Sequence, residues 1–108
     1  MSSAPVSRRH DAYIRDLLQN AGLRATKQRM GLAGLIFGQG ERHLTAEELY
    51  AEAIEAGMRL SQTTVYNTLH QFTEAGLLRE ILADARRIYF DTKVDPQHHF
   101  LDEETGEM

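Results

Sequence analysis

The chain has 108 residues, enough for one small domain and a fragment beside it, and its 42% apolar content supports a modest core. With no cysteine it has no disulfide framework, thiolate metal site or cysteine nucleophile, and no apolar run reaches the ~18 residues that a membrane span needs, so a soluble cytoplasmic protein is expected. The formal net charge is −4, yet all 12 Lys and Arg lie at or before Lys93, while Asp95, Asp102, Glu103, Glu104 and Glu107 make the last stretch acidic; the near-neutral body can still turn a basic face to a polyanion.

Residues 1–7 read as a disordered lead. A first helix is expected from about Arg8, with Tyr13, Ile14, Leu17 and Leu18 on one face and Gly22 as its stop. Leu23, Arg24 and Ala25 make a short link. Thr26 then caps a second helix containing Met30, Leu32, Ala33, Leu35, Ile36 and Phe37, which stops at residues 38–40. Arg24, Lys27 and Arg29 gather at its start, where three cations oppose the positive end of the helix dipole; helix stability does not call for them there. His43 and Leu44 precede a capping box, Thr45-Ala46-Glu47-Glu48, which starts a third helix with Leu49, Tyr50, Ala53 and Ile54 inward and Gly57 as its stop. Met58, Arg59 and Leu60 link it to a fourth.

That fourth helix, residues 61–76 with the sequence SQTTVYNTLHQFTEAG, organises the chain. Val65, Leu69 and Phe72 form a narrow apolar stripe, Ser61 supplies the N-cap and Gly76 the stop. The other side carries Gln62, Thr63, Tyr66, Asn67 and His70 and has no acidic residue before Glu74. A surface helix normally solubilises itself with Glu and Lys. One that offers hydroxyl, amide and phenol groups instead suits the base edges of the major groove, although an ordinary amphipathic helix has the same spacing. Third helix, turn and fourth helix make a helix-turn-helix candidate.

After Gly76 the period changes. Residues 77–83 and 86–91 flank Asp84-Ala85, and Ile81, Ile88, Tyr89 and Phe90 give them strand character, so a two-stranded hairpin is expected with Arg86 and Arg87 near its tip. The predicted fold is mainly α with a small β hairpin, a winged helix-turn-helix DNA-binding domain over residues 1–94. Residues 95–108 read as a hinge and the start of a truncated second domain.

GLRATKQRM, HLTAEELY, TTVYNTLHQFTEAGLL, a hairpin ending IYFD, and HHF resemble, in order and spacing, the N-terminal half of the ferric uptake regulator (Fur) superfamily of bacterial transcription factors. Asn67, where most relatives have Arg after Thr-Val-Tyr, together with the run TVYNTLHQFTEAGLLREI, is most similar to the iron response regulator (Irr) branch. The resemblance implies a repressor or activator of iron and haem homeostasis that binds a palindromic operator in double-stranded DNA as a homodimer when full length. Relatives continue into an α/β dimerisation domain that does not follow here. Their Cys-x-x-Cys structural zinc is not expected, since the aligned positions are Asp102 and Thr105. Irr-like proteins carry three consecutive histidines, and this chain reads Gln97-His98-His99, without an N-terminal Cys-Pro haem motif.

By the same resemblance His43, Asp91, His98 and His99 correspond to the regulatory metal site. Two or three imidazoles and a carboxylate suit Fe(II), Mn(II) or Zn(II), and haem could take His98 or His99 as an axial ligand. Each residue has a plainer reading, a surface histidine before a capping box or a solvated pair in a polar tail. For DNA, Tyr66 offers a ring to a thymine methyl, with Ser61, Thr64 and Asn67 within reach of phosphate or base edges; Tyr66 could instead be a half-buried core residue. Arg24 is implied for an adjacent minor groove and Arg29 for phosphate. Arg86 and Arg87 would contact DNA from the wing, or simply solubilise an edge strand. Ser61, His70 and nearby carboxylates do not make an enzyme, because nucleophile elbow and phosphate loop are both missing. The alternative is a winged-helix protein-interaction module without its own effector site, which would show an apolar patch where a DNA binder shows positive charge.

Overall fold

The structure, a computed structural model, describes residues 3–84 and 86–93. Four helices, α1 (Ser3–Asn20), α2 (Lys27–Phe37), α3 (Ala46–Glu55) and α4 (Gln62–Glu74), are joined by a sheet of β1 (His43–Leu44), β2 (Arg79–Asp84) and β3 (Arg87–Asp91).

The helix boundaries follow local chemistry. Thr26, Thr45 and Ser61 each have extended backbone, and each side-chain oxygen accepts from the N–H three residues on, that of Arg29, Glu48 and Thr64 respectively. Thr45 and Glu48 complete a reciprocal capping box. At the C-terminal ends of α3 and α4, Gly57 and Gly76 take φ of 88° and 87°, which a Cβ would penalise. Met58 N–H then returns to the Ala53 carbonyl and Leu77 N–H to that of Phe72. These two reversals fix how α4 enters and leaves the surface.

Ile14, Leu18, Leu32, Ala33, Ile36, Leu44, Leu49, Ala53, Val65, Leu69, Phe72, Leu78 and Phe90 form one buried core. α2 lies between α1 and α3 and, after the polar first turn of Lys27, Gln28 and Arg29, has only apolar residues and glycine; Leu32, Ala33 and Ile36 are buried, and Met30, Leu35 and Phe37 are half-buried around them.

Four expectations need correction. α1 begins at Ser3, where a disordered lead was expected; Pro5 does not stop it because its missing N–H falls in the first turn, where that donor has no intrahelical partner. Tyr13 and Ile54, assigned inward, are 53% and 45% exposed, since the buried stripes narrow to Ile14 and Leu18 on α1 and Leu49 and Ala53 on α3. The hairpin is the larger part of a three-stranded sheet, order β1-β3-β2, because His43 and Leu44 pair antiparallel with Asp91 and Phe90. His43, which precedes the capping box of α3, is therefore a strand residue.

Arg42 secures that third strand. Its guanidinium donates two hydrogen bonds to the Glu52 carboxylate of α3, at 3.1 and 2.8 Å, and one to the Leu35 carbonyl of α2. Its own carbonyl accepts from Thr92 N–H, and its N–H donates to Thr92 Oγ1. The hydrogen bonds it donates to Glu52 hold the arginine above its ordinary pKa, so it remains charged throughout the working range.

Candidate nucleic-acid interface

The buried stripe on α4 decides which side chains face out. Val65, Leu69 and Phe72 are fully buried and Thr68 nearly so, which leaves Gln62, Thr63, Tyr66, Asn67 and Gln71 exposed. Tyr66 is 42% exposed, so part of its ring is covered while the rest is open at the surface.

Two open grooves flank the helix. One is lined by Arg24, Thr26, Gln28 and Arg29 from the start of α2 and by Thr64, Asn67, Thr68 and Gln71 from α4. It contains cations, amides and hydroxyls and no carboxylate. The other is lined by Tyr66, Thr45, Ala46 and Glu47 with Arg86, Arg87, Ile88 and Phe90 of the wing. Arg24, Arg29, Thr64 and Asn67 thus meet on one side, and Tyr66, Arg86 and Arg87 on the other. Among the described residues, Arg24, Lys27, Arg86 and Arg87 form no ion pair, whereas the pairs that do form are Arg42–Glu52, Arg79–Asp91 and a long His70–Glu80 contact.

Not every expected side chain is free. Ser61 Oγ accepts from Thr64 N–H and lies 3.1 Å from Thr64 Oγ1, so these hydroxyls cap the helix as well as facing outward. Arg29 donates from Nε and NH2 to Gln71 Oε1, at 3.3 and 3.0 Å, and from NH1 to the Arg24 carbonyl. It fixes α4 against α2 and holds Arg24 in place, leaving one edge of its guanidinium toward the groove. At the wing tip Asp84 Oδ1 accepts from the N–H of Arg86 and of Arg87, an Asx turn that stands in for the glycine missing from the hairpin and presents both guanidinium groups. Residues overlooked in the sequence are Gln71 and Gln28. Gln71 follows Thr64 and Asn67 at helical spacing, which was sufficient signal; Gln28 had none beyond its basic neighbours.

At the far end of the sheet His43 and Asp91 are directly opposed, so their side chains share one face, with Arg79 on the other side of Asp91. The Asp91 carboxylate accepts from Arg79 at 3.4 Å and from Lys93 N–H at 2.9 Å, which still leaves lone pairs for a cation. One imidazole and one carboxylate on the same face fit a divalent ion as half of its ligand set. No group of three ligating side chains occurs among the described residues, and His98 and His99 lie outside them.

The model of the ferric uptake regulator family matches residues 20–108. The chain belongs to the ferric uptake regulator family. It is 32% identical over 92 residues to the ferric uptake regulation protein of Neisseria meningitidis, covering 84% of this chain and 64% of that one. With the corresponding protein of Pseudomonas aeruginosa the identity is 33% over 92 residues, with 84% and 69% covered. A solved structure of the ferric uptake regulator from Pseudomonas aeruginosa with manganese superposes with a TM-score of 0.67 at 25% identity, over 83% of this chain and 81% of that one. The fold is therefore the family's winged helix, and the chain spans about two thirds of the length of the Neisseria relative.

Proposed function

We propose that this member of the ferric uptake regulator family is a DNA-binding transcriptional regulator that lays α4 in the major groove and responds to an iron-related effector. The observation that carries this reading is the charge-free polar face of α4 flanked by cations that form no ion pair among the described residues, Arg24 beside Asn67 and Arg86 and Arg87 beside Tyr66. Neutral donors and acceptors read base edges, while flanking guanidinium groups hold the phosphates on either side. The groove between α2 and α4 has no apolar patch, which favours DNA over the protein-interaction alternative.

His43, Asp91, His98 and His99 are the proposed effector residues, for Fe(II), Mn(II) or Zn(II), or for haem through His98 or His99. The family assignment and the opposed His43–Asp91 pair support the divalent reading. A bound cation would supply the charge that draws these donors together. The pair sits at the end of β3, next to the Arg42 network that reaches α2 and α3, so closure of the site would act on the helix-turn-helix. The Irr-like haem response, the palindromic operator and the homodimer belong to the same proposal, as does the division at residues 94 and 95.

The test is duplex binding by the parent chain and by Tyr66→Ala across a salt series. Salt-dependent binding by the parent with a preferred sequence supports the reading; a parent that ignores duplex at low salt refutes it.

A further inference from the structure

His70 is neither a core residue nor a member of either groove, and its surroundings give it a definite task. It follows Tyr66 by four residues on α4, and the two rings meet edge to face with centroids 4.6 Å apart and planes at 78°. On its other side the imidazole stands at 83° to Phe90, centroids 6.1 Å apart. Phe90 is 1% exposed on β3 and cannot turn away. Glu80 of β2 is the cross-strand partner of Phe90, and its Oε2 lies 4.0 Å from His70 Nε2. One half-exposed imidazole thus touches the base-reading ring, the buried anchor of the sheet and a carboxylate of the wing.

We propose that His70 is a positioning residue, holding the Tyr66 ring in its reading pose and fastening α4 to the wing so that helix and wing meet DNA as one body. This rests on the DNA-binding reading above for its consequence and on the observed ring geometry for the clamp. A 42% exposed tyrosine on a helix surface otherwise samples several rotamers, and ordering it on docking would weaken binding by roughly three- to tenfold. With His70 in place that ordering is present before DNA arrives. The clamp also explains a histidine on a face that is otherwise hydroxyl and amide: the next turn needs a ring to meet Tyr66 edge to face and a nitrogen to reach toward Glu80.

The experiment compares the full 108-residue chain with His70→Ala, His70→Gln, His70→Phe and Glu80→Gln. Without DNA, aromatic NMR follows the Tyr66 ring and amide NMR follows Arg86 and Arg87. His70→Ala and His70→Gln should move the Tyr66 ring resonances toward those of free tyrosine, and His70→Phe should restore them. Glu80→Gln should shift the wing amides and leave the Tyr66 ring unchanged. With a randomised 20-base-pair duplex pool, His70→Ala and His70→Gln should lose about tenfold of base preference at one position per site, and keep affinity for unselected duplex within about twofold; His70→Phe should recover the preference. Unchanged Tyr66 resonances in both ring-less variants, or intact base preference, overturns the proposal. If the parent enriches no sequence, the DNA reading has failed, and the resonances alone decide the clamp.

Discussion

Tyr66 and Asn67 are neighbours in sequence and line opposite walls of α4, so a single substitution at each separates two parts of the interface. Tyr66→Ala should cost about 1–3 kcal/mol on the preferred duplex and much less on unselected duplex, as measured by fluorescence anisotropy. Arg86→Gln and Arg87→Gln should instead weaken binding to every sequence, and each should lower the slope of log affinity against log salt by about 0.9. Arg29 differs from both, because it is tied to Gln71 and the Arg24 carbonyl; Arg29→Ala should disturb the Arg24 pose as well as remove a charge. At the effector end, His43→Ala should weaken Mn(II) binding measured by calorimetry. His98→Ala/His99→Ala should abolish any Soret-band response to haem, and an unchanged Soret titration would remove these two histidines from haem binding.

The elements that present these residues are packed on one core and closed at their ends by caps. Ser61→Ala removes the acceptor for Thr64 N–H at the start of α4 and should cost about 1 kcal/mol in thermal or urea unfolding. Gly76→Ala forces a Cβ into the left-handed region and should cost about 1–2 kcal/mol. Arg42→Ala should cost about 1–3 kcal/mol, discounted for the partial exposure of Glu52, because it leaves the Leu35 carbonyl and the Glu52 carboxylate without that partner. The caps were legible in the sequence because Thr26, Thr45, Ser61, Gly57 and Gly76 act within a few residues of themselves. β1 was not. Its two residues show no alternation of their own and become a strand only through pairing with Asp91 and Phe90, nearly fifty residues away. Tyr13 and Ile54 misled for a related reason: helical spacing marks an apolar face, but the width actually covered depends on the neighbour. Of the candidate site, the polar face of α4 could be read from spacing, whereas the engagement of Arg29 by Gln71 is a tertiary contact that no local pattern encodes.

At the scale of the whole molecule, net charge misdirects and charge placement informs. A chain of formal charge −4 sets Arg24, Arg29, Arg86 and Arg87 beside one helix and carries five of its acidic residues beyond Lys93. One copy offers one reading helix, so affinity for a palindromic site should depend on a second. Two copies joined by a flexible linker that spans adjacent half-sites should bind about 10²–10⁴ more tightly than one, as measured on duplexes with one and two half-sites. A linked pair no tighter than the single copy would show that the two helices cannot engage together. Whether α4 reads bases through Tyr66 is decided by sequence selection from a randomised duplex pool. The parent chain should enrich a defined site, and Tyr66→Ala, folded and still bound to duplex, should lose the preference at one base position in each half. Enrichment of the same site to the same degree by Tyr66→Ala would contradict base reading by Tyr66.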